Sequence, residues 1–324
     1  MGPQLNWEPA LAAAVPVGGT PKFRALLTMP GPMLPPSQQR IKARVLYITS
    51  RGHSGSTLLS LLVSGHSQVV SAGELKMLSN PDPQRRLCSC HRQLPSECPF
   101  WGAVEQRVKD RVGCSLDQLL LVDGGDDINF RRHNEALFMA IAEVSGSALI
   151  VDSSKSLPRL SRLLTAEAQG AAFELHPVHL HRGPFGSMNS ARKRGEALRQ
   201  AAYNYTRLFF LTRERLRGVP SLRVYYERLA AAPRAEIARL MAWLNLPLEE
   251  GQFQWRHGVR RDIHGNDMRF GSSDQICLDQ SWRRQLTWSQ KLAVLTLTLP
   301  VRLRSAWLFR RLRLWIKPGV HPFP

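Results

Sequence analysis

Residues 44 to 59 most constrain the fold, because a strand-like run ends in a glycine and serine turn that opens directly into a helix-like run. The first run, RVLYIT, is rich in β-branched and aromatic residues, as in strands that are buried on both faces of a parallel sheet. The turn contains Gly52 and Gly55, which permit positive φ angles and a close approach of the backbone. Since a helix N-terminus attracts anions, this layout predicts a phosphate-binding loop.

The loop differs from the nucleotide-hydrolysing motif G-x-x-x-x-G-K-[ST] at two positions. When Gly55 and Thr57 are aligned with that motif, Ser56 stands at its lysine position and Ser50 at its first glycine. The lysine normally places a charge on the β- and γ-phosphates, so its absence argues against ATP or GTP hydrolysis by the usual mechanism. A kinase-like nucleotide enzyme remains an alternative, as does a plain turn between a strand and a helix.

The rest of the chain alternates strand-like and helix-like segments. Strands are predicted at 44–49, 148–152, 173–180 and 222–226, and helices at 56–65, 131–144, 196–216 and 233–245. This alternation predicts an α/β protein with a P-loop-like three-layer fold, in which helices flank a central, mainly parallel sheet. In such folds a ligand binds at the carboxyl ends of the strands, where the loop at 50–57 and Arg182 are both expected.

A second phosphate-binding element is indicated by VHLHRGPFGSMNS at 178–190. Arg182 follows the apolar run and can bind phosphate oxygens through two N–H groups, and Ser190, eight positions later, can add a hydroxyl. In a chain with 44 lysines and arginines such a pair also arises by chance, so it gains weight only beside the upstream loop.

Together these segments resemble the sulfotransferases that use 3′-phosphoadenosine 5′-phosphosulfate (PAPS), in particular the bacterial-type and tyrosylprotein enzymes. HSGSTLLSLLVSGHSQVVSAGEL at 53–75 is similar to their 5′-phosphosulfate loop, and 178–190 to the element that holds the 3′-phosphate. Three more segments, at 149–156, 222–247 and 264–286, are similar to segments of the family, and all five stand in the family's order along the chain. The resemblance implies a PAPS-dependent O-sulfotransferase that needs no metal and acts on a hydroxyl of a carbohydrate, a glycolipid or a small molecule.

The resemblance also implies which side chains bind PAPS. They lie in the loop at 50–57, in the element after the predicted strand at 173–180 and in the segment at 264–286. They are Arg51, Gly52, His53, Ser54, Gly55, Ser56, Thr57, Arg182, Ser190, Asn266, Arg269 and Ser272. Ser272 matches the S-T-D-Q element of the tyrosylprotein enzymes, and Arg269 is expected to be the better phosphate ligand of the late loop because its charge is permanent.

Three residues are candidates for the chemistry of sulfuryl transfer. Glu74 stands in the Gly-Glu context of the family's proposed base, and Lys155 resembles a lysine near the transferred group. His53 is the competing base and also a departure, since relatives often carry Arg or Lys there. Tyr226 and Glu227 match a Tyr-Glu pair of the family, and we expect them to have a structural role.

Three domain-level segments are predicted. Residues 1–40 are rich in Pro, Gly and Ala and are expected to form a flexible extension or a targeting arm, 41–290 to form the sulfotransferase domain, and 291–324 to form a basic C-terminal segment. On a helix, 301–317 would have a basic face and an aromatic-apolar face. That helix could contact an anionic membrane peripherally or pack against the domain.

The net charge of +19 makes a nucleic-acid or membrane-associated binding protein without catalysis the other alternative. No zinc-finger spacing or RNA-binding signature accompanies the charge, so no specific nucleic-acid partner is expected. No apolar run approaches the length of a membrane span, which favours a cytoplasmic location, with membrane-peripheral attachment as a variant.

Cys88, Cys90, His91 and Cys98 lie within 11 residues. They lack C-x-x-C spacing, so we expect a locally packed loop over the acceptor pocket and leave a metal site or a redox-sensitive pair as alternatives.

Overall fold

The strand-like run that begins the loop motif forms the centre of the sheet, because it has no polar face to expose. In the computed structural model, Val45, Leu46, Tyr47 and Ile48 are all fully buried. The structure describes residues 42–90, 93–122, 124–254, 260–270 and 275–304.

Five parallel strands form the sheet of the described residues, in the order β2-β3-β1-β4-β5. Their bounds are Ala43–Thr49 (β1), Val69–Gly73 (β2), Leu149–Lys155 (β3), Phe173–His181 (β4) and Leu222–Tyr225 (β5). The predicted α/β class with a parallel sheet flanked by helices is thereby confirmed. The third strand continues beyond its predicted end at 152 as far as Lys155.

The described residues form ten α-helices: Ser56–Ser64 (α1), Pro99–Val112 (α2), Asp127–Ser145 (α3), Leu157–Ala168 (α4), Pro184–Lys193 (α5), Leu198–Arg215 (α6), Tyr226–Ala231 (α7), Pro233–Trp243 (α8), Trp282–Gln285 (α9) and Trp288–Leu297 (α10). Helix α3 begins four residues before the predicted start at 131. The Asp126 carboxylate accepts a hydrogen bond of 2.8 Å from the Asn129 N–H and so caps the helix at that point.

Alternate side chains of β1 enter different layers, which gives the three-layer architecture. Val45 and Tyr47 pack with residues of α2, α3 and α4, whereas Leu46 and Ile48 pack with residues of α1, α7 and α8. A third cluster joins α5, α6 and α10. Burial on both faces explains why the sheet is parallel, since crossover helices must cover each side.

Among the described residues, no helix combines the length and the apolar character that crossing a bilayer requires. The predicted extension at 1–40 lies outside the described residues, as does the predicted basic segment from 305 onward.

Candidate functional site

Four neighbouring strands end at one edge of the sheet, and each contributes a part of the candidate site there. Glu74 follows β2, Lys155 ends β3, β1 leads into the loop at 50–55, and Arg182 follows β4. Neighbouring strands lie about 4.8 Å apart, so the ends of β2 and β4 are separated by about 14 Å. A site at this edge can therefore contact a ligand at several separate groups.

The loop after β1 has the conformation that its glycines allow. Gly55, the N-cap of α1, has a φ of 90°. A Cβ atom at this position would lie 2.6 Å from the ring of Tyr226, so only glycine fits without a shift of the ring. Glycine has no side chain with which to cap the helix, so the first N–H groups of α1 keep their capacity to bind an anion.

These elements surround a cleft of about 680 Å³. Ten of the residues predicted to form the site line it together, namely Gly52, His53, Gly55, Ser56, Thr57, Glu74, Lys155, Arg182, Ser190 and Asn266. They come from five separate parts of the sequence, so their convergence depends on the strand order.

Two residues of the predicted loop do not line the cleft. Arg51 is not among the lining residues, and its guanidinium pairs with Glu196 at 2.5 Å and donates to the Ser187 carbonyl. Ser54 is buried, at 2% exposure. Ser272 was also predicted to bind the phosphosulfate, and it lies outside the described residues.

Arg269 has a different environment from the one predicted for a phosphate ligand. Its guanidinium is buried and donates to the carbonyl oxygens of Leu87, Asp262 and His264, at 3.2, 3.1 and 2.6 Å. The side chain therefore connects the loop at Leu87 to residues 262–264. It is not among the residues that line the cleft.

Glu74 is buried at the cleft wall and has a cationic partner. Its side chain is 5% exposed and accepts a short hydrogen bond from the Lys155 ammonium, and Lys76 lies 3.9 Å from its other oxygen. Its backbone N–H donates to the Ile263 carbonyl at 2.8 Å, which fixes the position of the residue. A carboxylate and an ammonium thus face the cleft as a pair.

Irregularity at the end of β3 sets the direction of Lys155. This residue has a φ of 62°, and the pairing of β3 with β1 shifts register just before it. The Asp152 carboxylate stabilises the bend, because it accepts the Ser154 N–H at 2.9 Å and pairs with the fully buried Arg159 at 3.1 Å. Such irregularities re-aim side chains at functional sites.

Arg182 is held at the opposite side of the cleft by three contacts. It donates to the His53 carbonyl at 2.9 Å, pairs with the Asp279 carboxylate at 2.7 Å, and lies 4.5 Å from the centroid of the Tyr226 ring. Partial burial raises the pKa of Asp279, but hydrogen bonds from Ser281 and the ion pair with Arg182 bring it down to about 2. The carboxylate is therefore charged at neutral pH.

Tyr226 and Glu227, which follow β5, hold two loops of the site in place. Glu227 accepts the Gly183 N–H at 2.8 Å and so buttresses the loop after β4, as expected. Tyr226 contributes more than the structural role expected of it, because its ring also lines the cleft and its hydroxyl accepts the Asp279 N–H at 3.1 Å.

His53 is a neutral group at the mouth of the loop. Burial lowers its pKa, and the positive charges of Arg194, Lys155 and Arg182 lower it further. A neutral imidazole donates one hydrogen bond and accepts another, so at this position it adds no charge at pH 7.

Two further cleft residues escaped prediction. His264 lines the cleft with a φ of 56°, and burial lowers its pKa, so it too is neutral at pH 7. The sequence could have indicated His264, because it begins HGNDMR in the segment at 264–286 that resembles the sulfotransferases. Asp279 lies in the same segment at 264–286 and lines the cleft, but its pairing with Arg182 is visible only in the structure.

Comparisons with solved structures give the fold. The sulfotransferase domain of the Synechococcus PCC 7002 olefin synthase is 18% identical, with a TM-score of 0.53, covering 82% of this chain and 96% of that domain. The sulfotransferase domain from the curacin biosynthetic pathway is 18% identical at a TM-score of 0.47, covering 80% and 98%. Sulfotransferase STF9 from Mycobacterium avium is 12% identical at 0.41, covering 76% of each.

No protein-family model matches the chain, and no curated protein does so. The likeness to the olefin synthase domain extends over nearly the whole of that domain. The parallel sheet flanked by helices and the loop after β1 were predicted for the same fold. The chain therefore has the fold of the sulfotransferase domains.

Proposed function

We propose that the chain is a PAPS-dependent O-sulfotransferase. The observation that carries the proposal is the meeting of an anion-binding helix N-terminus, the Arg182 guanidinium and the Glu74–Lys155 pair in one cleft. PAPS carries two separate anionic groups, and the cleft offers cationic or N–H donors at two separate places.

The nucleotide would bind with its 3′-phosphate on Arg182 and Ser190. The 5′-phosphosulfate would lie on the N–H groups of the loop and α1, with the hydroxyls of Ser56 and Thr57 nearby. In this arrangement Ser56 can replace the lysine of the nucleotide-hydrolysing motif, because Lys155 at the end of β3 supplies an ammonium to the same cleft.

The chemistry would use the Glu74–Lys155 pair. The acceptor hydroxyl oxygen bonds to sulfur while the bond from sulfur to the bridging phosphate oxygen breaks, so that adenosine 3′,5′-bisphosphate (PAP) leaves. Glu74 accepts the hydroxyl proton, and Lys155 offsets the charge that develops on the departing phosphate. A bound phosphosulfate would compete with Glu74 for the Lys155 ammonium, and a carboxylate without that partner would be free to accept a proton.

Thermal unfolding with PAP, ADP, ATP and AMP tests the proposal without knowledge of the acceptor. At 100 times Kd, a ligand stabilises the folded state by about 2.7 kcal/mol, a rise of several degrees in Tm. We expect PAP alone to give this rise and Arg182→Ala to abolish it. Arg234→Ala is the matched control, since Arg234 forms an exposed ion pair with Glu250 away from the cleft.

Two outcomes contradict the proposal. An equal response to ADP and ATP would favour a kinase-like nucleotide enzyme. No response to any nucleotide would favour a basic binding protein without catalysis.

A further inference from the structure

Three thiols form a compact cluster on the loop that precedes α2. The Sγ atoms of Cys88, Cys90 and Cys98 all lie within 4.8 Å of one another. Cys90 Sγ is 3.4 Å from Cys98 Sγ, which in turn is 3.8 Å from Cys88 Sγ. A disulfide requires about 2.0 Å, so these sulfurs are close without being bonded to each other.

The spacing matches that of sulfur atoms around one metal ion. With a Zn–S distance of about 2.3 Å, two thiolates of a tetrahedral site lie about 3.8 Å apart. The distances from Cys98 Sγ to the sulfurs of Cys90 and Cys88, 3.4 and 3.8 Å, agree with this value to within a few tenths of an ångström. Thiolates select soft or borderline ions, and among them zinc favours tetrahedral geometry.

The surroundings of the sulfurs suit thiolate ligands. The Cys90 N–H is 3.5 Å from Cys88 Sγ, and Cys98 is the N-cap of α2. A helix N-terminus favours negative charge, so this position suits a thiolate. Cys88 and Cys98 belong to the hydrophobic core, so an ion there would be shielded from solvent on one side.

A neighbouring cation balances the charge that such a site would carry. Three thiolates and one Zn²⁺ have a net charge of −1. The buried guanidinium of Arg269 lies beside the cluster, because it donates to the carbonyl oxygen of Leu87, the residue before Cys88. This gives a function to an arginine that does not line the cleft.

The cluster is connected to the candidate active site through the backbone. Cys88 forms an antiparallel bridge with Ile263, and the Ser89 N–H donates to the Asp262 carbonyl at 2.9 Å. Ile263 in turn accepts the Glu74 N–H, and the next residue, His264, lines the cleft. Whatever holds the cysteine loop in place therefore also positions two cleft residues.

We propose that Cys88, Cys90 and Cys98 bind a structural zinc ion that holds the loop before α2 against residues 262–264. The three thiolates fill three of the four tetrahedral positions. His91, the fourth member of the cluster in the sequence, lies outside the described residues. The site is separate from the proposed sulfuryl transfer and does not depend on it.

Metal analysis of the full chain, purified without chelating resin, tests the proposal. We expect about one zinc per chain by inductively coupled plasma mass spectrometry, and its loss in Cys88→Ser and Cys98→Ser. Cys114→Ser is the matched control and should keep the metal, because Cys114 lies outside the cluster. Equal zinc contents in wild type, Cys98→Ser and Cys114→Ser would overturn the proposal.

A second measurement on the wild-type chain covers the case in which the serine variants do not fold. Replacement of zinc by Co²⁺ should give the absorption of thiolate-to-cobalt charge transfer and of a tetrahedral ion, and a chelator should lower Tm. The proposal is wrong if the reconstituted chain binds no metal. It is also wrong if mass spectrometry finds a stable Cys90–Cys98 disulfide in the folded chain, which would indicate a redox pair.

Discussion

The ion pair between Arg182 and Asp279 places a carboxylate where the proposed 3′-phosphate would bind. The two groups are 2.7 Å apart, and the Asp279 side chain is 42% exposed. A phosphate that reaches Arg182 must displace this carboxylate or lie beside it, so the ion pair opposes binding. Removal of the charge in Asp279→Asn should therefore strengthen the binding of PAP.

The size of the effect follows from the pKa of Asp279. A fall from 3.8 to about 2 corresponds to about 2.4 kcal/mol, at 1.36 kcal/mol for each pKa unit. Hydrogen bonds from Ser281 account for part of it, and solvent screens an exposed pair, so the interaction with Arg182 contributes about 1 kcal/mol. Asp279→Asn should then lower the Kd for PAP about fivefold.

Isothermal titration calorimetry at pH 7 with PAP and AMP measures this effect. AMP lacks the 3′-phosphate, so its Kd should not change in Asp279→Asn. Asp267→Asn is the matched control, because Asp267 also lines the cleft but is exposed and has no ion pair with Arg182 in the structure. The reasoning is refuted if Asp279→Asn weakens PAP binding or changes the Kd values of PAP and AMP equally.

Three further predictions follow from the cleft. Glu74→Gln should lower the rate of PAP release from PAPS with an acceptor about 10²- to 10⁴-fold, and an unchanged rate would exclude Glu74 as the base. Calorimetry should find PAP bound at least as tightly as by the wild type, because Lys155 loses a competing carboxylate. Gly55→Ala should destabilise the fold by about 1–3 kcal/mol in urea unfolding, because its φ is 90° and its Cβ would meet Tyr226, whereas Gly52→Ala should have little effect since nothing lies within 4 Å. The lowered pKa of His53 means that it gains its proton only below its ordinary value of 6.5, so PAP should bind more tightly as the pH falls through that range. His53→Gln should remove this pH dependence, and its persistence in the variant would assign the dependence to another group.

Local sequence signals were sufficient for the parts of the fold that depend on local chemistry. The apolar run at 44–49 and the glycines after it predicted β1, the loop and α1 at almost their observed bounds. The alternation of segments also predicted the α/β class with a parallel sheet, but the strand order β2-β3-β1-β4-β5 was not predicted and comes from the structure. Helices α2 and α4 were not predicted, although each has proline in its first turn.

Other parts of the site depend on packing that a sequence does not reveal. Arg51 and Arg269 have the chemistry of phosphate ligands, but Glu196 and three carbonyl oxygens, respectively, occupy their guanidinium groups. Partners of this kind lie 5 to 182 residues away in the chain, so only the folded structure identifies them. For the same reason, Asp279 became a candidate only through its contact with Arg182.

A crystal structure of the chain with PAP bound tests the central claim most directly. The account predicts that the 3′-phosphate lies about 3 Å from the Arg182 guanidinium and the Ser190 hydroxyl, and that the 5′-phosphate lies on the N–H groups at the start of α1. It also predicts that Asp279 has left Arg182. A 3′-phosphate bound away from Arg182, or a nucleotide bound outside this cleft, would contradict the account.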